Sequence, residues 1–450
     1  MSQDRINLWL ESVILELESD FSSAEAGWDK PKQATLPSPP ASLKRPMSSG
    51  KHADMTSTPI KKRRLDEEGA DVERTPRQGD SVSITGSDIP SLPSRPSSVA
   101  SGQVSPSRLV DQLRHEPNGV LIRTMDVNDE EMPGSLRDFI PSIEMIATGF
   151  QIVPAHLETE ISRLAPSRQS LKHFFPHFYA PAASQSDSEQ ASKTDTSILT
   201  DIFRIVDKAK ECLNRGQDEA GWNNLVHTPV LEMALYGRDA WGKQLAGFCP
   251  CMSAGIIPRY RIDNVAGKKI DYALFIDPTH DADATSQIEA LYEGQGSVNH
   301  TNFAPLQKCP VTVSIETKRP DESQQRANIQ MGIWQAAQWR ALEQLAGSTA
   351  LKSLEFLPGV LVIGHQWNFV ATSYKNGRTT LWTERSIGST QTEFGAFQIM
   401  AGIFKLRKWS LDVFWPWYKL HVLKIEAEVE QRDEVEVDIQ GLAVNESINV

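Results

Sequence analysis

The sequence has few cysteines and no long apolar run. Its four cysteines, Cys212, Cys249, Cys251 and Cys309, are too few for a disulfide scaffold in a chain of this size and indicate a reducing compartment. No apolar stretch approaches the roughly 20 residues that a membrane-spanning helix needs, and the first residues lack the pattern of a signal peptide. We therefore expect a soluble, intracellular protein with no membrane partner.

A zinc site is the alternative use of these cysteines. Cys249 and Cys251 form a C-x-C pair, which is tighter than the usual C-x2-C of zinc sites. No second pair and no H-x3-H follows them in the sequence. The cysteine spacing therefore favours free thiols over a metal.

The chain also lacks an overall basic charge. Its formal net charge is −12 and its hydrophobic content is 39%, which argues against a uniformly basic nucleic-acid coat and against a fully folded chain. The acidity lies in the flanks, above all after residue 425, while the region from 201 to 424 is near neutral. Whole-chain charge is therefore a poor guide to what the central region binds.

The N-terminal part is rich in Ser, Pro and charge. Residues 1–20 carry apolar side chains at helical spacing and predict a short amphipathic helix, which either docks locally or binds a partner. Residues 21–107 have no hydrophobic period and are expected to be disordered. They contain a basic cluster that is typical of a nuclear-import signal or a nucleic-acid patch, with a solvated charge run as the alternative; it comprises Lys61, Lys62, Arg63 and Arg64. We expect a nuclear protein that uses this cluster to bind an import receptor.

The remainder divides into a helical extension and linker at 108–195, a domain at 196–424 and an acidic tail at 425–450. Helical and strand patterns alternate within the domain, which predicts an α/β fold with a mixed central sheet flanked by helices. The predicted helices are 197–213, Thr228-Pro229 to about Leu245, 323–346 and 391–409, and residues 278–308 are read as a polar insertion. The predicted strands are 257–263, 268–277, 311–318, 359–365, and a hairpin of 367–374 and 379–385 that turns at Asn376-Gly377.

Two of these strands carry charged residues where a core is expected. In 311–318, Val311, Val313 and Ile315 alternate with polar residues, so that Glu316 and Lys318 share the other face. Asp271 begins the strand 268–277 and is expected to meet Glu316 on a neighbouring strand. Buried charges need partners, and two converging carboxylates suit a hard cation such as Mg²⁺, or Mn²⁺ in its place. Lys318 is then placed to orient a water molecule or to neutralise charge on a phosphate.

The helix after this strand adds a polar residue. Gln330 lies on the same helical stripe as Ile333, Trp334, Ala337 and Ala341, which predicts an amide directed towards the sheet. Buried amides need hydrogen-bond partners. A metal-bound water or a phosphate would supply them, and a backbone group is the alternative.

These residues resemble the motif of the PD-(D/E)xK nuclease superfamily, and the overall texture resembles a fungal group of its members. The resemblance implies a restriction-endonuclease-like core with Asp271 and Glu316 as metal ligands, Lys318 as the catalytic lysine, Glu232 as an accessory ligand and Gln330 as a further site residue. It implies a Mg²⁺-dependent nuclease that hydrolyses phosphodiester bonds in nucleic acid, DNA more than RNA. The alternatives are a catalytically inactive relative that binds nucleic acid or protein, and a scaffold whose flanking regions make the interactions.

Overall fold

The computed structural model describes residues 105–181, 196–237 and 242–425. The predicted N-terminal helix, the basic cluster at 61–64 and the acidic tail from 426 onwards lie outside the described residues. At the end of the segment expected to be disordered, residues 106 and 107 already belong to a helix. That helix begins at Pro106 because the Ser105 side chain caps it by accepting a hydrogen bond from the Arg108 amide.

Helices and strands follow one another in this order along the described residues. The α-helices are α1 (Pro106–His115), α2 (Gly134–Thr148), α3 (Glu158–Leu164), α4 (Thr196–Asn214), α5 (Glu219–Trp222), α6 (Thr228–Leu235), α7 (Ala282–Gln295), α8 (Gln324–Ala346), α9 (Glu393–Trp409) and α10 (Trp415–His421). Two π-helical segments, Asn223–His227 and Ser410–Phe414, join α5 to α6 and α9 to α10. The strands are β1 (Val120–Thr124), β2 (Ala246–Pro250), β3 (Tyr272–Ile276), β4 (Val311–Lys318), β5 (Leu357–Ile363), β6 (Gln366–Lys375) and β7 (Arg378–Ser389).

The strands of the described residues form one mixed sheet of seven, in the order β1-β7-β6-β5-β4-β3-β2. The pairs β1–β7 and β4–β5 are parallel and the other pairs are antiparallel. Helix α8 makes the long crossover between the parallel strands β4 and β5, which a two-residue turn cannot connect. The predicted α/β class with a mixed central sheet flanked by helices is confirmed.

Helices cover both faces of the sheet. Helix α8 packs on β4, β5 and β7, while α2 and α9 pack against β7 and α9 also contacts α6. Neighbouring residues of a strand lie in different apolar clusters. On β5, Val360 belongs to the cluster that includes α9, whereas Leu361 belongs to the cluster on the opposite face, against α8. On β6, Phe369 and Val370 divide in the same way. Because successive strand residues point to opposite faces, central strands buried on both sides contain few polar positions. Polar residues on them therefore require an explanation.

Strand β4 spans the eight residues predicted for it, and all eight are buried. Its alternation is interrupted near its start, because the register with β3 shifts between Leu274 and Phe275. Val313 and Ile315 face one core, whereas Val311 faces the other. The predicted alternation therefore holds from Val313 to Lys318, which includes the charged end of the strand, and a bulge re-aims the strand before it.

The predicted hairpin, the helix 323–346 and the helix 197–213 are confirmed within one residue at each end, except that the second hairpin strand continues four residues further, to Ser389. In the hairpin, Lys375 pairs with Arg378, and both turn residues, Asn376 and Gly377, have positive φ angles of 53° and 79°. Positive φ at both central residues is what a type I′ turn requires, and Asn-Gly adopts it readily. Local turn chemistry thus determines this connection.

Three predictions about elements are wrong. Residues 257–263 are not a strand: Pro258–Tyr260 form a 3₁₀ turn, and a proline has no amide hydrogen to give to a sheet. The helix expected at Thr228–Leu245 begins earlier and ends at Leu235. The polar insertion 278–308 contains helix α7.

The region before the predicted domain also contributes to the sheet. Within 108–195, which was expected to be helical, Val120–Thr124 form edge strand β1 in parallel pairing with β7. Only one of its five residues is fully buried, so its sequence carries a weak strand pattern. Among the described residues, no helix is both long and apolar enough to cross a membrane.

Candidate functional site

The charged end of β4 meets the start of β3. The two strands are antiparallel, with Tyr272 opposite Ile315, so Asp271 lies beside the last residues of β4. The Thr317 amide and hydroxyl both donate to Asp271 Oδ2, at 2.8 and 2.9 Å. The predicted meeting of Asp271 with the Glu316–Lys318 strand is therefore present in the structure.

Glu316 is the most buried charged residue of this region, with 1% of its surface exposed. Its Oε1 lies 2.6 Å from Lys318 Nζ in an ion pair, yet neither of its oxygens receives a hydrogen bond of good geometry from the described residues. A buried carboxylate with an unsatisfied oxygen costs free energy. Glu316 Oε2 therefore has coordination capacity that the described protein groups leave unused.

Lys318 joins the carboxylates of this site. Besides Glu316, its Nζ contacts Glu219 Oε2 at 3.0 Å and the Thr317 carbonyl at 2.7 Å. Lys318 is 6% exposed, so these oxygens replace most of the water that an ammonium group normally binds. One buried lysine thus serves two carboxylates and one carbonyl.

Glu219 reaches the site because the continuous helical segment that leads into α6 begins at Glu219, nine residues before the predicted start at Thr228. Asp218 caps it, its side chain accepting a hydrogen bond from the Gly221 amide at 2.8 Å. A π-helical segment, Asn223–His227, then carries the chain into α6. The wider π turn keeps Glu219, Asn223 and His227, each four residues apart, on the side of the helix that faces the strand ends, and π segments often occur at functional sites.

Glu232, predicted as the accessory carboxylate, lies elsewhere on this helix. Its side chain is exposed on α6, whereas Glu219 makes the contact with Lys318. Thr228 does not cap the helix, since its hydroxyl is 2.9 Å from the Tyr272 hydroxyl. The misplaced helix start therefore explains why sequence reasoning selected Glu232 and missed Glu219.

Gln330 follows the alternative that the sequence left open, a backbone partner, but it is less buried than predicted. It is only partly buried, and its Nε2 donates to the carbonyl of Lys269 at 3.3 Å. More deeply buried amides of α8 are Gln335 and Gln338, which donate to the Pro358 and Val311 carbonyls. Gln330 thus holds the segment before Asp271 onto α8 and satisfies its amide with backbone.

The charges of the site shift one another's pKa. Burial raises the pKa of Glu316 well above its usual range, and the nearby charge of Asp271 raises it further, against the opposing effect of Lys318. Burial also raises the pKa of Asp271, although the Thr317 hydrogen bonds oppose it, and the pKa of Glu219, where Asp271 adds repulsion. Burial alone would lower the pKa of Lys318, but Glu316 and Glu219 outweigh it and raise that pKa. Within the part of the chain that the structure describes, Lys318 therefore lowers the pKa of all three carboxylates, Asp271, Glu316 and Glu219.

The donor set fits a hard divalent cation. Carboxylate oxygens are the ligands that Mg²⁺ and Mn²⁺ prefer, and Mg²⁺ is commonly held by only one or two carboxylates plus waters and phosphate. Asp271 and the unsatisfied Glu316 Oε2 supply such a pair. No group of three or more His, Cys, Asp or Glu side chains within the described residues could hold a metal by itself, so the predicted trio with Glu232 is not assembled.

The cysteines of the zinc alternative lie near this site as free thiols. Cys251 is buried, and its amide donates to the Asp271 carbonyl at 2.7 Å. Burial raises the pKa of the Cys251 thiol and of the Cys249 thiol, which disfavours the thiolate that zinc binds. Cys251 therefore supports the backbone of Asp271.

Sequence reasoning missed three residues of the site, Glu219, Asn223 and His227, and it gave Thr317 no role beyond its place between Glu316 and Lys318. Asn223 and His227 are 1% exposed, and Thr317 links them to Asp271. One signal was present, namely polar residues at four-residue spacing, Glu219, Asn223 and His227, directly after Asp218, which can cap a helix. Pro229 concealed it, because a proline usually marks the first turn of a helix.

Comparison with known proteins gives one match. A family model described as the PD-(D/E)XK nuclease superfamily matches residues 166–415, which is more than half of the chain. No curated protein and no solved structure shows a significant match. The matched range includes Glu219, Asp271, Glu316 and Lys318, on a mixed sheet flanked by helices. The chain belongs to the PD-(D/E)XK nuclease superfamily.

Proposed function

We propose that this protein is a divalent-metal-dependent nuclease that hydrolyses phosphodiester bonds in DNA. One observation carries the proposal: two buried carboxylates and a buried lysine converge at the end of β4, and Glu316 Oε2 has no hydrogen-bond partner among the described residues. Nucleases of this superfamily generally use divalent metals, and the fold suggests nucleic-acid binding. In this proposal Asp271 and Glu316 hold Mg²⁺ or Mn²⁺, with Glu219 in the accessory position first assigned to Glu232.

The charged residues have different parts in this chemistry. A bound divalent ion would polarise a phosphate and lower the pKa of a water molecule. Lys318, whose pKa is raised, stays protonated at neutral pH and therefore cannot accept a proton from that water. Its ammonium group instead stabilises the negative charge that develops on the phosphate. Gln330 orients the segment before Asp271 through the Lys269 carbonyl.

Cleavage by the full chain tests the proposal. Single- and double-stranded DNA, and RNA of matched sequence, are incubated with Mg²⁺ or Mn²⁺, and Asp271→Asn and Lys318→Met variants are compared with the wild type. Glu232→Gln serves as the matched control, because it removes an exposed carboxylate of α6. We expect metal-dependent DNA cleavage that both site variants lose and the control keeps. DNA binding without metal binding or cleavage would instead assign the chain to the catalytically inactive members.

The substrate surface follows from the position of the site. Lys269 is exposed two residues before Asp271, and Arg326 is exposed one turn before Gln330 on α8. Because residues four apart share a helix face and Gln330 contacts Lys269, these two cations lie on one side of the site. Lys269→Glu and Arg326→Glu should each weaken DNA binding and reduce the salt slope by about 0.9 for each phosphate that is no longer neutralised. Lys172→Glu, an exposed charge before α4, should leave the slope unchanged.

Nuclear localisation is part of the proposal. The cluster of Lys61, Lys62, Arg63 and Arg64 supports it, since a run of four basic residues in a Ser- and Pro-rich segment is typical of import signals. A fluorescent fusion of the chain should concentrate in the nucleus, and replacement of the four residues by alanine should abolish this. Unchanged distribution would remove the import receptor as a partner.

A further inference from the structure

His227 reaches the segments that carry the proposed metal ligands through hydrogen-bonded neighbours, Asn223 on one side and Gly364 on the other. It belongs to the π-helical segment and is 1% exposed. Its Nδ1 is 2.8 Å from the Asn223 side-chain atom assigned as Oδ1, and its Nε2 is 3.3 Å from the carbonyl of Gly364. The rings of Trp222 and Trp367 flank it, with centroids at 5.8 and 5.7 Å.

The hydrogen-bond partners determine the tautomer of His227. The Gly364 carbonyl can only accept, so Nε2 carries a hydrogen. Burial lowers the pKa of His227 to about 4, so the ring is neutral and Nδ1 must accept. Asn223 therefore presents its amide nitrogen to the ring.

The same Asn223 atom position lies 2.9 Å from the Thr317 hydroxyl. With nitrogen there, its second hydrogen reaches Thr317 Oγ1, and the single hydroxyl hydrogen of Thr317 is left for Asp271 Oδ2 at 2.9 Å. With oxygen there, that one hydrogen would have to serve two acceptors and His227 would need to be a buried cation. The nitrogen orientation satisfies His227, Thr317 and Asp271, and it gives up only the weak contact of the Asn223 amide with Met252 Sδ at 3.9 Å.

The other side of His227 leads to Lys318. The Gly364 amide donates to the Lys318 carbonyl at 2.8 Å. Gly364 has a φ of +55°, and a Cβ there would meet Pro320 Cγ at 2.5 Å, so only glycine fits this turn. One imidazole thus braces Asp271 through Asn223 and Thr317, and the end of β4 through Gly364.

We infer that His227 is a positioning residue for the metal site, holding Asp271 and the Glu316–Lys318 strand at a fixed separation as a neutral, Nε2-protonated ring. The expected effect of His227 on metal binding rests on the proposed function. The tautomer of His227 and its hydrogen bonds do not depend on it. Residues that orient metal ligands commonly change metal affinity or activity by about 10- to 100-fold when mutated. His227 should act through this orientation and not through contact with the substrate.

The tautomer tests the hydrogen-bond chain whether or not the protein is active. ¹⁵N spectra of the histidine-labelled full chain at neutral pH identify His227 by its loss in His227→Gln. We expect a neutral ring protonated on Nε2. A ring protonated on Nδ1, or a cation, would overturn the inference even in an inactive protein.

Variants test the positioning role. His227→Leu removes both hydrogen bonds, whereas His227→Gln keeps one donor and one acceptor. We expect His227→Leu to weaken calorimetric Mn²⁺ binding by about 10- to 100-fold and to lower kcat with little change in KM for DNA, and His227→Gln to recover most of the loss. His300→Leu is the matched control, since His300 is equally buried but its ring nitrogens lack hydrogen-bond partners among the described residues.

The outcomes separate the two proposals. If the wild type is active and binds Mn²⁺ no more tightly than His227→Leu and His300→Leu do, the positioning role is refuted and the nuclease proposal stands. A wild type that neither binds Mn²⁺ nor cleaves DNA would refute the nuclease proposal. The ¹⁵N tautomer would then still decide whether His227 holds the two strands together.

Discussion

Replacing Lys318 by methionine should expose the electrostatic cost of the site. The substitution keeps the length of the side chain but removes the cation that lies 2.6 Å from Glu316 and 3.0 Å from Glu219. Glu316 then remains buried without a counter-ion. Breaking a buried ion pair in this way costs about 3–5 kcal/mol, so we expect Lys318→Met to lower the free energy of unfolding by that amount.

The second variant, Glu316→Gln, separates charge from packing. In its background Lys318 keeps the Thr317 carbonyl and one ion-pair partner, Glu219. The Glu219 side chain is 35% exposed, and such a pair contributes at most about 1 kcal/mol. Lys318→Met should therefore cost far less there, which gives a coupling free energy of about 2 kcal/mol or more. Denaturant unfolding followed by tryptophan fluorescence measures all four corners of the cycle.

The pH dependence of this cycle has a fixed sign. A buried carboxyl with a raised pKa binds a proton in the folded state that the unfolded state releases, so stability falls as pH rises from the ordinary Glu pKa through the folded one. Without Lys318 the pKa of Glu316 rises further, and the loss in Lys318→Met should be larger at pH 8 than at pH 5. A cost below about 1 kcal/mol at both pH values, with no coupling, would contradict the buried ion pair.

Three further predictions concern charges. Glu219→Gln should weaken Mn²⁺ binding in calorimetry because it removes a carboxylate from the site, while Glu232→Gln should not; equal effects would contradict the placement of Glu219. Mn²⁺ binding should release protons, since metal binds the ionised form of carboxyls such as Glu316 whose pKa is raised; heats in buffers of different ionisation enthalpy that imply no release would oppose it. Arg168→Met should lower the free energy of unfolding by about 3 kcal/mol, because it leaves the buried carboxylate of Glu393, at the start of α9, without this ion pair. Arg163→Met, which removes an exposed ion pair with Glu160, should cost at most about 1 kcal/mol in denaturant unfolding.

The parts of the fold that sequence predicts well are those specified by local chemistry. The alternation from Val313 to Lys318 identifies β4, and Asn376-Gly377 fixes a two-residue turn whose backbone few other residues adopt. The charged end of β4 is conspicuous because charges rarely lie in a buried strand. The meeting of Asp271 with this strand follows from the same reasoning.

The parts that sequence does not predict depend on tertiary pairing. Strand β1 is short and half-buried, and only its pairing with β7 makes it a strand. The start of the site helix was misread because Pro229 resembles a first-turn proline, whereas a π segment ends just before the helical turn that contains it. Shifting that start moves the acidic residue that reaches the site from Glu232 to Glu219. A single misread proline thus changed one member of the candidate site but not its strand residues.

The cost of the site and its proposed function have the same physical origin. Burial raises the pKa of Asp271, Glu219 and Glu316 because their charged forms lose water. A divalent cation that replaces the lost water relieves this penalty, and any ligand that binds only the folded state stabilises it by mass action. A fold that holds these carboxylates close together without enough cations is therefore less stable alone than it would be with metal. In our inference the His227 contacts oppose the same repulsion: carboxylates that repel one another separate unless surrounding hydrogen bonds hold their strands in place.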